Sequence, residues 1–557
     1  MEYFLFFLCI VVGVIIFFIK GIYGEKTKKK KFVKNLKTNY GKENERIYKE
    51  GEYEHISHYS LKYKKNFYID DITWNDLNMD AVFMQMNYTH SSAGEECLYS
   101  MLRNPKLTDD FDRMEELISY FLEEENDRIK LQEVFHDIGR TGKFSICDYL
   151  DYLEDLGEPS NKTHILWNCM YIPACLLLYV NIAYGVLALL AVLIHNIVSY
   201  FKYKEVINPY ITSFAYIFKM LDGVSKIEKQ KISAIEREQR ILGEKRKKFK
   251  KFGRFSFFVM SVQGGSGNPF ESINDYFRMC FHVDIIKFNS MLQDVRNHID
   301  DIYQMLQILG ELDAYLAIGE YRTHLGEYCI PEFGMSFSLE DGVHPLLRNP
   351  VKNSIHANKN ILLTGSNASG KSTFLKMVAI NSLLAQSIHT CAAKSYQGDL
   401  YRLFTSMALR DDIFSGESYY IVEIRALKRI LDTITDDSNP VLCFVDEVLR
   451  GTNTVERIAA STQILESLSH HKVVCFAATH DIELTYLLED RYENYHFEEE
   501  MIDNDIVFHY QLLEGCATTR NAIGLLKIMG YEEQIINNAN AMASEFVKTG
   551  AWQTDWR

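Results

Sequence analysis

Two long apolar runs, two helical stretches and a final region of short apolar bursts make up the hydrophobic pattern of this 557-residue chain. Residues 3–19, YFLFFLCIVVGVIIFFI, are apolar without interruption, at the short end of what spans a bilayer. No positive charge precedes the run and no small-residue cleavage site follows it, so an uncleaved anchor is expected in place of a signal peptide. From Ile165 to Val198 the chain has no Asp, Glu, Lys or Arg for 34 residues, broken by Pro173, Asn181 and Gly185. One helix of that length would run about 50 Å against a hydrocarbon core of roughly 30 Å, so two short spans joined near Asn181 are expected. A buried core hairpin is the competing reading.

Around these runs the spacing is helical. Residues 40–160 place apolar side chains at i, i+3 and i+4 in MEELISYFLEEENDRIKLQEVF and FSICDYLDYLEDL, with Asp109 and Asp110 as candidate N-caps of the first. Residues 205–330 continue in the same manner through KIEKQKISAIEREQRILGEKRKKFKKF. Beyond 336 the period changes. ILLT, VLCFV and KVVCFAA are short continuous apolar runs of the kind found in parallel strands buried on both faces. The fold class expected is a C-terminal α/β phosphate-loop domain preceded by an all-α region with about three transmembrane helices.

The first of these strands runs into TGSNASGKST, where Gly365, Gly370, Lys371 and Ser372 fit G-x-x-x-x-G-K-[ST]. Such a loop turns successive backbone N–H groups into one concavity at a helix N-terminus, which binds phosphate. Gly365, Ser366, Asn367, Ala368, Ser369, Gly370, Lys371, Ser372 and Thr373 are the expected nucleotide-binding residues. Lys371 would reach the β- and γ-phosphates of ATP, and Ser372 would ligate Mg²⁺. VLCFVDE then ends in two carboxylates. Asp446 is placed to hold Mg²⁺ through its water shell, and Glu447 to orient or deprotonate the attacking water. His480 closes the third strand and reads as a γ-phosphate sensor.

Charge narrows the possibilities. The net charge of −15 is unfavourable for a protein that coats phosphate backbones, so any DNA contact has to be local. The basic exceptions are the lysines between Lys20 and Lys37 and the cluster Lys245, Arg246, Lys247, Lys248, Lys250 and Lys251. The first flank, and Lys202 and Lys204 after the second apolar run, are cytoplasmic by the positive-inside rule. A multi-pass protein of the cell membrane follows, with its nucleotide domain on the cytoplasmic side. Eleven cysteines scattered without a C-x-x-C pair fit reduced thiols. Gly264, Gly265, Ser266 and Gly267 lack a following Gly-Lys pair and read as a flexible loop.

TGSNASGKST, DDIFSGESYYIVEI, VLCFVDEVLRGTNTVE, FAATHDIELTYL and YQLLEGCATTRNAIGLLKIMGY together resemble the successive motifs of the MutS-type ATPase domain, a branch of the ABC superfamily. SSAGEECLYSMLRNPKL, residues 91–107, is similar to the start of the MutS core, or lever, domain. The resemblance implies that Asn367 joins Lys371 at the phosphates. It also implies that Ser418 completes the partner subunit's site, giving a homodimer with composite ATP sites. Mismatch-type DNA binding is implied by the family alone. Against it, only about 70 residues separate the first apolar run from the core-like segment, too few for a mismatch-reading or connector domain, and they contain no Phe-x-Glu.

The expected organisation is an anchor over 1–20, a basic linker and helical segment over 21–80, and core-like helices over 81–163. A membrane hairpin over 164–200, further core-like helices over 201–335 and the ATPase domain over 336–557 follow. The function expected is a membrane-anchored MutS-like ATPase that uses ATP-driven dimer closure to move its helical arms on DNA or on a protein partner, with DNA binding implied by the resemblance. The alternative is a membrane ATPase regulator or scaffold acting on a protein partner. An ABC-type transporter fits poorly, since three spans are few and the signature reads IFSGES.

Overall fold

Helical spacing builds one unit of the fold, and short continuous apolar runs build the other. The computed structural model describes residues 20, 23–24, 26–48, 52–142, 144–157, 160–250, 252, 269–366, 369–407, 419–434, 439–449, 452–502, 505–517, 523, 526, 529–550 and 552. The first unit comprises Met1–Tyr63, Met86–Ser100 and Asp112–His324; the second comprises Lys64–Gln85, Met101–Phe111 and Leu325–Arg557. The expectations for residues 3–19, for Gly264 to Gly267, and for Asn367, Ala368 and Ser418 lie outside the described residues.

The first unit is helical around a core that includes Leu131, Phe135, Phe214, Val224, Met291 and Leu309. The amphipathic stretch after residue 112 is two helices, Asp112–Glu123 and Glu125–Ile138, because Glu124 leaves helical geometry at φ −93°, ψ 74°. Asp109 and Asp110 do not cap it, since the first helix starts only at Asp112. In FSICDYLDYLEDL the cap is Ser145, which forms a capping box with Asp148 at the head of Ile146–Asp155. The basic cluster at the end of helix Glu236–Lys248 is partly neutralised within the unit. Lys245 and Lys248 flank the Asp301 carboxylate at 3.1 and 2.7 Å, and Arg246 pairs with Glu228.

The charge-free run folds as a helical hairpin that turns at Asn181, as its length requires. Helix Tyr171–Val180 ends there, and the Asn181 side chain accepts from the N–H groups of Ala183 and Tyr184 to start helix Ile182–Ile207. Pro173 sits in the first turn, where no N–H is needed. Gly185 is required by packing: a Cβ there would fall 2.5 Å from the backbone of Leu178 on the facing helix. Among the described residues two stretches, not three, are long and apolar enough to cross a membrane, Lys162–Val180 and Ile182–Ile207. Only 11% and 17% of their most apolar windows are buried among the described residues; Leu176, Tyr179, Leu187 and Ile194 face outward.

The second unit holds two sheets. A four-stranded sheet has the order β1 (Glu332–Phe333), β5 (Ser395–Gly398), β2 (Phe337–Gly342), β3 (Asn353–Ala357). A six-stranded sheet has the order β10 (Asp505–Glu514), β9 (Tyr492–Ile502), β4 (Asn360–Thr364), β8 (Val473–Ala478), β7 (Val441–Asp446), β6 (Arg402–Ser406). All its pairings are parallel except β9 with β10. Every residue of β4 and β7 is buried, which is why both read as unbroken apolar runs. The upstream segments 64–85 and 101–111 pack with this unit. Asp70 caps helix Asp71–Asp76 and receives Arg429 at 2.6 Å, while Asp76 accepts from the Thr405 hydroxyl at 2.6 Å on β6.

Candidate active site

The site forms where β4 stops and helix Lys371–Ile388 begins. Two glycines make the turn possible. Gly365 has φ 141°, and a Cβ there would lie 2.8 Å from the Phe497 carbonyl oxygen; Gly370 has φ 108°, and its Cβ would meet the Tyr510 ring at 3.0 Å. The Lys371 ammonium, 5% exposed, donates to the carbonyl oxygens of Gly365 and Ser366, both at 2.8 Å. Ser366 Oγ donates to Glu499 on β9 at 2.8 Å. Ser369 Oγ is buried with no hydrogen-bond partner among the described residues, a donor left for something bound in the loop.

Opposite the helix terminus, β7 delivers its two carboxylates. Ser372 Oγ donates to Asp446 Oδ2 at 2.5 Å. A hydroxyl and a carboxylate are hard oxygen donors, so the pair suits Mg²⁺. Glu447 adopts the left-handed conformation at φ 59°, rare for a side chain of its kind, and its N–H is held by the Ala478 carbonyl at 2.9 Å. That twist turns its carboxylate toward the loop and onto His480 Nε2 at 2.9 Å. Behind them Arg457 makes a bidentate pair with Asp481 at 2.5 and 2.8 Å, fixing the segment that carries His480.

A cavity of about 550 Å³ opens over these groups, within the range of small-ligand sites. Ser366, Ser369, Gly370, Lys371, Ser372, Thr373 and Glu447 line one side; Leu347, Val351 and Tyr510 supply apolar wall on the other. His480 is not among its lining residues and touches the cavity through Glu447. Tyr510 stands at a register shift in β10, in left-handed backbone at φ 54°. Asn353 of β3 holds it there, donating to the Tyr510 carbonyl at 3.0 Å and accepting from Leu512 N at 2.8 Å. His344 also lines the cavity. Burial, with Lys376 nearby, lowers its pKa to about 4, so it is uncharged at neutral pH.

Residues 361–547 match the family model of MutS domain V. These residues form a MutS-type domain. It is 30% identical over 262 residues to the DNA mismatch repair protein MutS of Thermus thermophilus, covering 46% of this chain and 32% of that one. It is 29% identical over 268 residues to MutS protein homolog 4 of Homo sapiens, covering 45% and 28%. With the DNA mismatch repair protein MutS of Thermotoga maritima the figures are 30% over 264 residues, 45% and 33%. The chain thus spans about a third of the length of the curated relatives it matches.

In this MutS-type domain the fold gathers Gly365, Ser366, Ser369 to Thr373, Asp446, Glu447 and His480 into one place. Sequence reading missed Glu499, Asn353, Tyr510 and the Arg457–Asp481 pair. It also missed Glu423, a buried carboxylate that accepts from Leu449 N just beyond the β7 carboxylates. Asp481, Glu423 and Tyr510 fall inside motifs already singled out, and Arg457 stands one residue beyond one of them, so these were findable. The others sit on elements with no local phosphate signature.

Proposed function

We propose that this MutS-family chain is a membrane-anchored, Mg²⁺-dependent ATPase that acts as a homodimer and converts ATP binding and hydrolysis into movement of its helical unit. The observation that carries the reading is the Ser372–Asp446 contact beside the Glu447–His480 pair, at the mouth of a glycine loop whose lysine is already turned inward. Lys371 would exchange its two carbonyl partners for phosphate oxygens. Ser372 and Asp446 would hold Mg²⁺, which supplies charge neutralisation at the phosphates. Glu447 accepts the proton of the attacking water, and His480 keeps that carboxylate aimed. ATP-dependent phosphate release by the full chain in detergent or vesicles tests this, and none at saturating Mg²⁺ and ATP would overturn it.

Membrane anchoring rests on the outward-facing apolar hairpin and the run at residues 3–19. The protein is expected to stay in the membrane fraction through high-salt and alkaline washing, which strips proteins held by charge alone. Release by either wash would mean that protein, not lipid, covers the hairpin.

DNA is the load that the relatives' name, DNA mismatch repair, suggests. The −15 charge favours instead a regulator working on a protein partner, as does the pairing of Lys245, Arg246 and Lys248 inside their own unit. Salt dependence separates the two. If duplex DNA binds through this cluster, replacing all six basic residues with glutamine should flatten the log–log salt slope by about three units, because each neutralised phosphate contributes about 0.9 and three of the six are already paired. Little preference for mismatches is expected. Absent binding at low salt, or a slope indifferent to the replacements, assigns the load to a partner other than DNA.

A further inference from the structure

The helical unit carries a second cluster of chemistry-bearing side chains with no part in nucleotide handling. His55 lies on the short 3₁₀ turn Glu54–Ile56, and His58 in the first turn of helix Ser57–Lys62. Three residues apart, they present to the same side. Asp148, in the first turn of helix Ile146–Asp155, meets them from across the unit. His58 Nδ1 is 2.8 and 3.0 Å from the two oxygens of Asp148, and His55 Nδ1 is 4.0 Å from Oδ2. One donor atom from each of the three lies within 4.8 Å of the others.

Two further observations set this cluster apart from an ordinary histidine–carboxylate pair. His55 Nδ1 is buried and has no hydrogen-bond partner among the described residues, so desolvation of a good ligand atom goes uncompensated. Beside it lies a cavity of about 20 Å³, lined by His55, Glu52, Glu96 and Ser145 among others, large enough for one water molecule. We propose that His55, His58 and Asp148 form a binding site for a divalent transition-metal ion of the zinc class, with water in the remaining position. Two imidazoles and one carboxylate suit Zn²⁺ and its neighbours, whereas Mg²⁺ and Ca²⁺ favour oxygen-only sets. With ordinary metal–ligand bonds of about 2.0–2.2 Å in a tetrahedral set, donors stand roughly 3.3–3.5 Å apart. The His58–Asp148 contact of 2.8 Å would therefore open by about half an ångström, and the more distant donors, within 4.8 Å, would close by about 1.5 Å at most. The ion would clip the segment carrying His55 and His58 to a helix some 90 residues further along the chain.

The test uses the full chain in detergent, freed of metal with a chelator, and Zn²⁺ titrated in competition with a chromophoric chelator. One equivalent is expected to bind, with affinity at least about a hundredfold weaker in both His58→Gln and His55→Gln, since even outer partners of such ligands are worth ten- to a hundredfold. His480→Ala should keep the equivalent, which separates this site from the nucleotide cavity. Co²⁺ added to the unaltered protein should give visible ligand-field bands of a nitrogen- and oxygen-ligated ion, a readout independent of how the variants fold. No zinc bound, variants that bind like the unaltered chain, loss of the equivalent in His480→Ala, or no cobalt bands would each overturn the proposal.

Discussion

Replacing Glu447 with glutamine is expected to leave ATP bound while slowing its hydrolysis by about a hundredfold or more, the range that general-base catalysis supplies. The exchange is nearly isosteric. The amide keeps a polar contact for His480, now at 2.9 Å from the carboxylate, and the strained φ of 59° is no worse for glutamine than for glutamate. What disappears is the proton acceptor. Single-turnover phosphate release, read beside ATP affinity on the same preparation, checks this. Turnover like that of the unaltered chain would give the base role to another residue.

Lys371→Ala should abolish tight ATP binding. Its ammonium is the cation in contact with the loop itself, held by two backbone carbonyls at 2.8 Å that phosphate oxygens would replace. Charge-assisted hydrogen bonds are worth about 1.5–3 kcal/mol each, so losing two amounts to roughly a hundredfold in affinity and upward. The alanine variant should bind ATP weakly at any Mg²⁺ concentration. Unchanged affinity would remove the phosphate-loop assignment. The same variant probes assembly: mixed with Ser418→Arg subunits, it leaves each heterodimer with one doubly damaged site and one intact site. Activity should partly return, and no recovery despite heterodimer formation would count against composite sites.

Which parts of this protein were legible before folding follows from the range of the interactions concerned. Sequence alone determined the phosphate loop, because its glycines answer a backbone demand met within nine residues, Gly365 to Thr373. It also determined the buried parallel strands, since burial on both faces leaves an unbroken apolar run in β4 and β7. The turn at Asn181 was legible from length, as a rigid helix cannot be shorter than its residues require. Tertiary structure alone decided what lies far apart in the chain and close in space. Tyr510 reaches Gly370 only because an irregularity in β10 and the side chain of Asn353 hold it there. Segment 64–85 joins the six-stranded sheet's unit through Asp70 and Asp76, whose partners on the far side of the sequence leave no periodic trace. The basic cluster read as an exposed patch until Asp301 and Glu228 were seen to face it. His55, His58 and Asp148 meet for the same reason: hydrophobic periodicity records which face of a helix is buried, and not which polar groups two buried faces bring together.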